Sequence, residues 1–391
     1  MSNPLQDPEF LRNPYPTFAA LRSASPVQQV PGGGGRSSYL VTGHAEAREA
    51  FADPRLSKDT ARFFAGRDTG RNLHPAVSRS MLATDPPQHT RLRGLVAKSF
   101  TSGAVARLQP YIESVTDELL DAWVPGDRTD AVASLAAPLP VTVICQLLGV
   151  PEADRTAVRS WSNDLFAAGR PDRIDAASHA VADYLAGLVA AKRRSPDDSL
   201  LTELIRVRDG GDRLGEDELV SLAALLLVAG HETTTNLIGN GLLALLRTPE
   251  ALRRLHRNPD LVGTAVDELL RLDSPVSTAT FRFATEDITL GGTEIPAGSP
   301  VLIAPGAANR DPARFPEPDR LDLDRDTTGH LAFGHGIHRC LGAPLARAEA
   351  TVALRALLAR FPAIRLAVPA EDLEWRHTRL MRGLVSLPVL P

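Results

Sequence analysis

The sequence predicts a mainly helical α+β protein in which small β-sheets accompany a large set of helices. Apolar residues recur with helical spacing over most of residues 105–204, in pieces separated by Pro and Gly. A second helical pattern covers residues 216–247, which at 1.5 Å per residue makes a helix of about 45–50 Å. Strand signals are confined to the N-terminal part, to residues 281–304 and to the tail.

Composition excludes several classes of function. The 391 residues are 43% hydrophobic and 23% charged, with a net charge of −4, so no nucleic-acid partner is expected. The N-terminus has neither the basic region nor the apolar run of a signal peptide, and the apolar run at residues 219–230 is shorter than the ~20 residues that span a bilayer. We therefore expect a soluble, cytoplasmic protein that binds no membrane.

The two cysteines, Cys145 and Cys340, cannot form a disulfide framework, and both suit a reducing compartment. Cys145 lies in the apolar run VTVICQLLGV, where an inert core residue is expected.

The first hundred residues mix turn and strand signals. Residues 27–30 and 38–41 flank PGGGG and predict a hairpin, and residues 45–52 predict a short helix. Residues 60–75 show little periodicity and predict a loop that carries Phe63, Phe64 and Leu73.

Two basic side chains follow the sequence DPP. His89 and Arg93 are four residues apart, so on a helix they share one face and could bind a single anion. A solvated basic helix face is the alternative. In the helical region that follows, Trp161, Leu165 and Phe166 form an apolar cluster for which core packing is the simpler interpretation.

The centre of the long helix breaks the rules of a helix core. Gly230, Glu232 and a run of threonines starting at Thr233 interrupt an apolar segment, which is typical of positions where function overrides stability. Small Ala229 and Gly230 leave room beside the helix for a flat cofactor, while Glu232 and Thr233 offer an ionisable group and a hydroxyl for proton delivery. The alternative is a buried Glu232 paired with an arginine.

Further along, Glu268 and Arg271 are three residues apart on a predicted helix, a spacing that usually gives a surface ion pair. Strands follow around a turn at Gly291 and Gly292. Arg282 stands between two phenylalanines and should point away from both.

The sequence FGHGIHRCLGAPLARAE occupies residues 333–349. Its glycines allow tight turns, and Cys340 stands just before a helical pattern that begins near Leu341 and carries Pro344 in its first turn. The positive end of a helix favours the thiolate, the form of cysteine that binds metals. A buried cysteine in a Gly-rich turn is the alternative.

The spacing of Phe, Gly, His, Cys and Gly in this stretch resembles the haem-thiolate signature of the cytochrome P-450 family in its soluble bacterial form. The resemblance implies that Cys340 is the axial ligand of haem b, iron protoporphyrin IX, and that Phe333 shields the sulfur. It extends over nearly the whole chain and implies these further cofactor contacts: His89, Arg93, Arg282 and His338 at the propionates, with Ala229, Gly230 and Gly342 near the ring.

Other roles are implied by the same resemblance. Glu232 and Thr233 match the acid and alcohol that deliver protons during oxygen activation, which argues against the peroxide-dependent branch of the family. Glu268, Arg271 and Arg320 match a structural triad that holds the cysteine loop. The substrate-touching positions implied are Phe63, Phe64, Leu73, Phe166, Leu225, Val228, Val276, Thr280, Leu380 and Met381.

Length alone predicts two or three domains, but the resemblance implies one P-450 domain over residues 1–391, with a helical and a strand-rich lobe. The implied activity is monooxygenation with O₂, by hydroxylation or epoxidation of a bulky apolar secondary metabolite such as a macrolide. A monomer receiving electrons from a ferredoxin and its reductase is expected. The alternatives are a haem isomerase or dehydratase that needs no O₂, and a haem sensor or carrier; oxygen consumption coupled to product separates them.

Overall fold

A computed structural model describes residues 5, 7–31, 37–67, 70–166, 170–209, 214–376, 378 and 380–391. Contacts between Cα atoms divide the chain into two compact units. The first unit comprises residues 1–57, 112–137 and 233–391, and the second comprises residues 58–111 and 138–232. The expectation of one domain stays a prediction.

Helices account for most of the described secondary structure. In chain order they are α1 (Pro8–Arg12), α2 (Tyr15–Ala24), α3 (His44–Ala52), α4 (Thr60–Phe64), α5 (Pro75–Ser78), α6 (Gln88–Ala97), α7 (Ser102–Asp121), α8 (Pro138–Leu148), α9 (Arg155–Leu165), α10 (Pro171–Arg194), α11 (Leu200–Asp209), α12 (Glu216–Leu246), α13 (Pro249–Arg257), α14 (Val262–Leu272), α15 (Pro305–Ala308) and α16 (Ala343–Arg360). Short 3₁₀ turns lie at Met81–Ala83, Lys98–Phe100, Glu152–Asp154, Pro259–Leu261, Gly336–His338 and Ala370–Asp372, and a π turn at Val132–Ala136.

The strands found among the described residues all belong to the first unit. They are β1 (Val27–Pro31), β2 (Ser37–Val41), β3 (Leu56–Ser57), β4 (Thr129–Asp130), β5 (Arg282–Ala284), β6 (Ile288–Leu290), β7 (Thr293–Ile295), β8 (Pro300–Ile303), β9 (Arg365–Leu366) and β10 (Pro388–Leu390). They form a 5-stranded sheet in the order β1-β2-β8-β5-β3, a 3-stranded sheet β4-β10-β9 and a hairpin β6-β7. The predicted mainly α fold with small sheets is confirmed.

The core of the first unit forms where α3 packs on the 5-stranded sheet. Ala47, Ala50 and Phe51 repeat at helical spacing on α3 and are buried against strand residues such as Val41 and Ile303. Burial of this apolar face, rather than helix propensity, stabilises a helix of this length. α3 therefore offers a fixed surface to the segments that pack on it.

Many sequence predictions of local structure are confirmed. β1 and β2 pair as the predicted antiparallel hairpin, and residues 32–36 between them lie outside the described residues. The β6-β7 turn has positive φ at Gly291 (55°) and Gly292 (76°), the conformation in which glycine is least costly. The breaks between α7 and α11 fall at the predicted Pro and Gly positions, and the long helix runs from Glu216 to Leu246.

Two local predictions are wrong. Residues 60–75 are not all loop, because Asp59 caps the short helix α4 by accepting a hydrogen bond from the Arg62 N–H at 2.9 Å. Trp161, Leu165 and Phe166 are half-buried rather than core residues, although the Trp161 ring contacts Tyr184. No helix in the described part of the chain combines the length and apolar character that crossing a membrane requires.

Candidate active site

The cysteine loop, residues 333–342, is a closed turn that packs against α3. The Cys340 N–H donates to the Phe333 carbonyl at 2.8 Å, and Gly334 and Gly336 adopt φ of 70° and 72°. A Cβ at Gly336 would lie only 2.7 Å from the Phe51 carbonyl oxygen. The loop thus needs glycine at this position both for its backbone conformation and for its approach to α3.

The two cysteines have opposite environments. Cys145 is completely buried, and burial raises the pKa of its thiol to about 11, so it is the inert core residue predicted. Cys340 is exposed, and the interpretation of it as a buried structural cysteine is therefore wrong. It lies three residues before α16, which begins at Ala343 with Pro344 in its first turn.

The Phe333 ring packs against the side chains of Arg347 and His330. The Arg347 guanidinium lies over its ring at 4.6 Å, and the His330 ring centroid is 5.8 Å away. Both side chains bind Asp267 Oδ1, Arg347 Nε at 2.7 Å and His330 Nε2 at 3.4 Å. Burial acts to raise the pKa of Asp267, but these hydrogen bonds outweigh it and the pKa is lowered. Asp267 on α14 therefore fixes the first residue of the cysteine loop through two partners.

Glu268, the residue after Asp267 on α14, forms the predicted ion pair with Arg271. The pair is buried in the core instead of lying at the surface. Arg271 donates from Nε and Nη2 to the two oxygens of Glu268 at 2.6 and 2.8 Å, and both residues are at most 1% exposed. The remaining Arg271 N–H groups donate to carbonyl groups, those of Asn309 and Pro318 among them. Arg271 is thus satisfied by Glu268 and by backbone carbonyls together, as a buried charged group must be.

The third member of this cluster is a correction to the sequence prediction. The Arg320 side chain is 60% exposed and pairs with Glu317 at 3.0 Å, so only its backbone carbonyl reaches Arg271. Arg325 instead donates from Nε to Glu268 Oε1 at 3.2 Å, with its side chain 8% exposed. The turn after Pro318 points the side chain at position 320 outward and the one at position 325 inward, which spacing alone does not reveal.

Asn309, which the sequence did not single out, joins this cluster to the cysteine loop. Its carbonyl accepts from Arg271, and its Oδ1 accepts the Leu331 N–H at 2.6 Å. Its Nδ2 donates to the Ser274 hydroxyl at 2.9 Å. A chain of buried hydrogen bonds therefore runs from α14 to the residue two positions before Phe333.

Arg282 also belongs to the first unit and lies on β5. It is 3% exposed, with its guanidinium 5.0 Å from the centroid of the Phe51 ring. Phe281 and Phe283 stack on each other with ring centroids 6.2 Å apart. The two rings thus share one side of the strand and Arg282 takes the other, as the alternation predicted.

His89 and Arg93 lie in the second unit, on α6. His89 is 2% exposed, and burial, then the positive charges of Arg93 and Lys58, lower its pKa. At neutral pH His89 is therefore a neutral N–H donor while Arg93 carries the positive charge. The two side chains are close enough to interact electrostatically, so the sequence correctly predicted that they share a helix face.

The centre of α12 exposes one face in the second unit. Leu225 and Val228 are half-buried and Ala229 is exposed, whereas Leu226 and Leu227 are buried. An exposed apolar surface in the middle of such a helix is suited to contact with a flat apolar group. Gly230 differs from the prediction, because a Cβ there would lie 2.9 Å from Ile144 Cγ1. That space is filled by α8, and the predicted room for a cofactor applies to Ala229.

The polar residues that follow differ in exposure. His231 Nδ1 lies 3.1 Å from the Leu227 carbonyl within the same helix. Glu232 is 1% exposed, and Thr233, which belongs to the first unit, is half-buried. An acid withdrawn from water beside an accessible hydroxyl is suited to proton transfer.

The predicted substrate-touching residues fall into two groups. In the second unit, the Phe63 and Phe64 rings meet edge to face at 4.9 Å, with Phe64 40% exposed, and Leu73 and Phe166 are half-buried. In the first unit, Val276 and Met381 form an isolated antiparallel bridge, and Thr280 and Leu380 are half-buried. The structure thus brings Val276 and Met381 together directly.

The donor set suits haem better than a bare metal ion. Among the described residues, no group of three or more His, Cys, Asp and Glu side chains is placed to hold a metal. An iron bound by the exposed Cys340 thiolate would need its other ligands from a macrocycle, which haem supplies. Within the second unit His89 and Arg93, and within the first unit Arg282, are side chains of the kind that binds carboxylate groups.

Comparisons with known proteins identify the family to which the chain is similar. A family model described as "Cytochrome P450" matches residues 172–374. The chain is 46% identical to "Cytochrome P450 monooxygenase PikC" of Streptomyces venezuelae, covering 97% of this chain and 92% of the relative. It is 44% identical to "6-deoxyerythronolide B hydroxylase" of Saccharopolyspora erythraea, over 96% and 95%. The solved structure of the tirandamycin C-bound P450 monooxygenase TamI covers 98% of this chain and 99% of its own, at 49% identity and a TM-score of 0.92.

Proposed function

Because the chain belongs to the cytochrome P450 family, we propose that Cys340 is the thiolate ligand of its haem b and that Glu232 and Thr233 deliver protons. The protein is a haem-thiolate monooxygenase that uses O₂. The observation that carries the residue assignment is the exposed Cys340 thiol, held in a closed loop that α3 and α14 fix from separate directions.

The cysteine loop controls the sulfur. Its closure by the hydrogen bond from the Cys340 N–H to the Phe333 carbonyl fixes the position of the thiolate. The positive end of α16, just beyond the loop, favours the ionised form. We assign Phe333, anchored by Arg347 and His330, to limit access of water to the sulfur.

The cationic side chains hold the carboxylate groups of the cofactor. Arg93 and Arg282 bring two positive charges for two propionates, and the neutral His89 adds an N–H donor. His338, half-buried in its 3₁₀ turn, completes this set. Ala229 and Gly342 are the small residues assigned to face the ring.

Bound haem supplies an iron centre that activates O₂ with two electrons. The residues of α12 supply the protons. Glu232 is buried and exchanges protons slowly with bulk water unless a relay connects it, and we assign the neighbouring Thr233 hydroxyl as the group that passes the proton on. Both are required for electrons to appear in product rather than in peroxide.

The substrate class follows from the relatives and from the pocket residues. The relatives' names include a hydroxylase of 6-deoxyerythronolide B and a monooxygenase solved with tirandamycin C. We propose that this enzyme likewise hydroxylates or epoxidises a bulky, largely apolar secondary metabolite of the macrolide or polyketide type. The half-buried apolar side chains proposed to touch it are Leu73, Phe166, Leu225, Val228, Val276 and Leu380, together with Phe63, Phe64, Thr280 and Met381.

P450 monooxygenases receive electrons from redox partners. We propose a ferredoxin and its reductase for this chain, as its resemblance to the soluble bacterial members of the family implies. We further propose a single-domain monomer that works in the cytoplasm, a reducing compartment that suits Cys145 and Cys340, which form no disulfide.

The proton assignment is tested with Thr233→Ala and a matched control, Thr234→Ala, which removes the next and more buried hydroxyl. A macrolide panel is first screened for the low-spin to high-spin absorbance change, and the best binder is used with a ferredoxin system. We expect Thr233→Ala to retain haem and to divert most electrons to peroxide, while Thr234→Ala keeps wild-type coupling of O₂ consumption to product. Equal coupling in both variants would refute the role of Thr233.

A further inference from the structure

The substrate-touching residues Leu380 and Met381 lie at the end of a hairpin in the first unit. The Arg376 N–H donates to the Gly383 carbonyl and the Val385 N–H to the Glu374 carbonyl, both at 2.9 Å. Trp375 and Leu384 form an antiparallel bridge between these pairs. The hairpin is short, and a short two-stranded hairpin is only marginally stable by itself.

A neighbouring segment pairs with one side of the hairpin. The Ser277 N–H donates to the Leu380 carbonyl at 2.9 Å, and the Arg382 N–H donates to the Pro275 carbonyl at 2.8 Å. The Val276 side chain is thereby set beside Met381. The two predicted substrate-touching segments of this unit are therefore hydrogen-bonded to each other.

α12 grips the hairpin from another side. Asn240, 2% exposed, donates from Nδ2 to the Arg382 carbonyl at 3.0 Å. One turn earlier, Asn236 packs so close to Gly383 that a Cβ there would lie 2.0 Å from Asn236 Oδ1. The hairpin can approach α12 this closely only with glycine at position 383.

The Arg382 side chain supplies a third attachment. Its Nε donates to Asp273 Oδ1 at 2.6 Å and its Nη1 to the Arg12 carbonyl at 3.1 Å. The guanidinium also stacks on Trp375 at 3.7 Å, and Tyr15 donates its hydroxyl to the same Asp273 oxygen. Charged hydrogen bonds of this kind are stronger than neutral ones and fix orientation.

A small surface cavity of about 10 Å³ lies next to this hairpin, lined by Ser277, Thr378, Met381 and Gly383 among others. The contacts through Asn240, Gly383 and Arg382 attach the hairpin to α12 and to the residues around Asp273.

We infer that Asn240, Asp273 and Arg382 are positioning residues for substrate specificity: they clamp the hairpin and so set where Leu380 and Met381 meet the substrate. The inference rests on the proposed function, which makes those two residues substrate-touching. None of the three clamp residues needs to contact substrate. Changing the clamp should alter discrimination between ligands of different size without altering the iron ligand.

The test uses Asn240→Leu, which removes the donor at similar volume, and Gly383→Ala, which pushes the hairpin off α12. Thr116→Val is the matched control, since it removes one buried hydrogen bond to Ile112, within α7. Affinities of the ferric enzyme for imidazole and for the much larger clotrimazole are measured by the absorbance change on iron ligation. Hydrogen exchange of residues 275–277 and 380–385 is followed in parallel.

We expect both clamp variants to change the ratio of the two affinities by about two- to tenfold, the equivalent of one hydrogen bond. Hydrogen exchange of residues 275–277 and 380–385 should be faster in both clamp variants. Thr116→Val should leave both the affinity ratio and the hydrogen exchange as in the wild type. Wild-type exchange in the clamp variants would overturn the inference, and so would faster exchange with an unchanged ratio. If Asn240→Leu does not fold, Gly383→Ala and the milder Asp273→Asn decide by the same readouts.

Failure of the proposed function is a separate result. It would appear as a missing thiolate signature in the wild-type protein. The exchange measurement needs no haem and would still report whether the clamp holds the hairpin.

Discussion

Replacement of Arg325 by methionine tests the corrected ion-pair cluster. Arg325 is 8% exposed at its side chain and donates to Glu268 Oε1 at 3.2 Å and to the Glu317 carbonyl at 3.1 Å. Breaking a buried pair costs about 3–5 kcal/mol when it strands the partner charge. Glu268 here keeps both bonds from Arg271 and one from the Asp322 N–H. We therefore expect Arg325→Met to lower the free energy of unfolding by about 3 kcal/mol, the contribution of one to two charged hydrogen bonds.

Arg320→Met is the matched control on the same segment. The Arg320 side chain is 60% exposed. Arg320 bonds to Arg271 through its backbone carbonyl, which the substitution leaves in place. Exposed ion pairs contribute about 0–1 kcal/mol, so the control should unfold almost as the wild type does.

The assay is urea denaturation and thermal unfolding of the haem-loaded protein, followed by far-ultraviolet circular dichroism and by the absorbance of the ferrous carbonyl adduct. At ~2.1 cal/mol/K per residue, the unfolding entropy of a chain this long is about 0.8 kcal/mol/K, so 3 kcal/mol lowers the melting temperature by about 4 °C. A larger loss in Arg320→Met than in Arg325→Met would refute the assignment of Arg325.

Two further predictions concern the cysteine loop and its helix. Gly336→Ala should lower the free energy of unfolding by about 1–3 kcal/mol, because it places a Cβ against the Phe51 carbonyl at φ of 72°. The control is Gly263→Ala on α14, where a Cβ meets open space. This control should be neutral or stabilising in the same urea titration. Glu349 on α16 is 1% exposed, neither of its oxygens has a hydrogen-bond partner within the described structure, and burial raises its pKa well above 4.5. The folded protein thus keeps a proton that the unfolded chain releases above pH ~4.5. Between pH ~4.5 and the pKa of Glu349 in the folded protein, the free energy of unfolding therefore falls as the pH rises, by up to ~1.4 kcal/mol per pH unit. Glu349→Gln should flatten that slope, and an unchanged slope would contradict a neutral Glu349.

Sequence patterns predicted the parts of the fold that depend on period and local chemistry. The long helix α12 was recognised because its apolar period is uninterrupted on both sides of Gly230 and Glu232, and the turn at Gly291 and Gly292 because glycine favours positive φ there. The cysteine loop was recognised by its spacing, which is set by the tight backbone path between Phe333 and Cys340.

The remaining parts depend on tertiary contacts that no spacing encodes. Spacing does not distinguish Arg320 from Arg325, because both follow Pro318 in an irregular segment, where side-chain direction has no period. Asn309 and Asp267 were missed for the same reason: their roles arise from where a short turn and a helix face meet the cysteine loop. Gly230 was assigned to open space that Ile144 in fact fills.

The central claim is that Cys340 binds haem iron as a thiolate, and the ferrous carbonyl spectrum tests it most directly. The wild-type protein, expressed with ample haem and reduced under carbon monoxide, should show the red-shifted Soret band of a thiolate ligand. Cys340→Ser should lose that band, while Cys145→Ser, which changes the buried cysteine, should keep it. An unshifted band in the wild type, or a shifted band that survives in Cys340→Ser, would contradict the account.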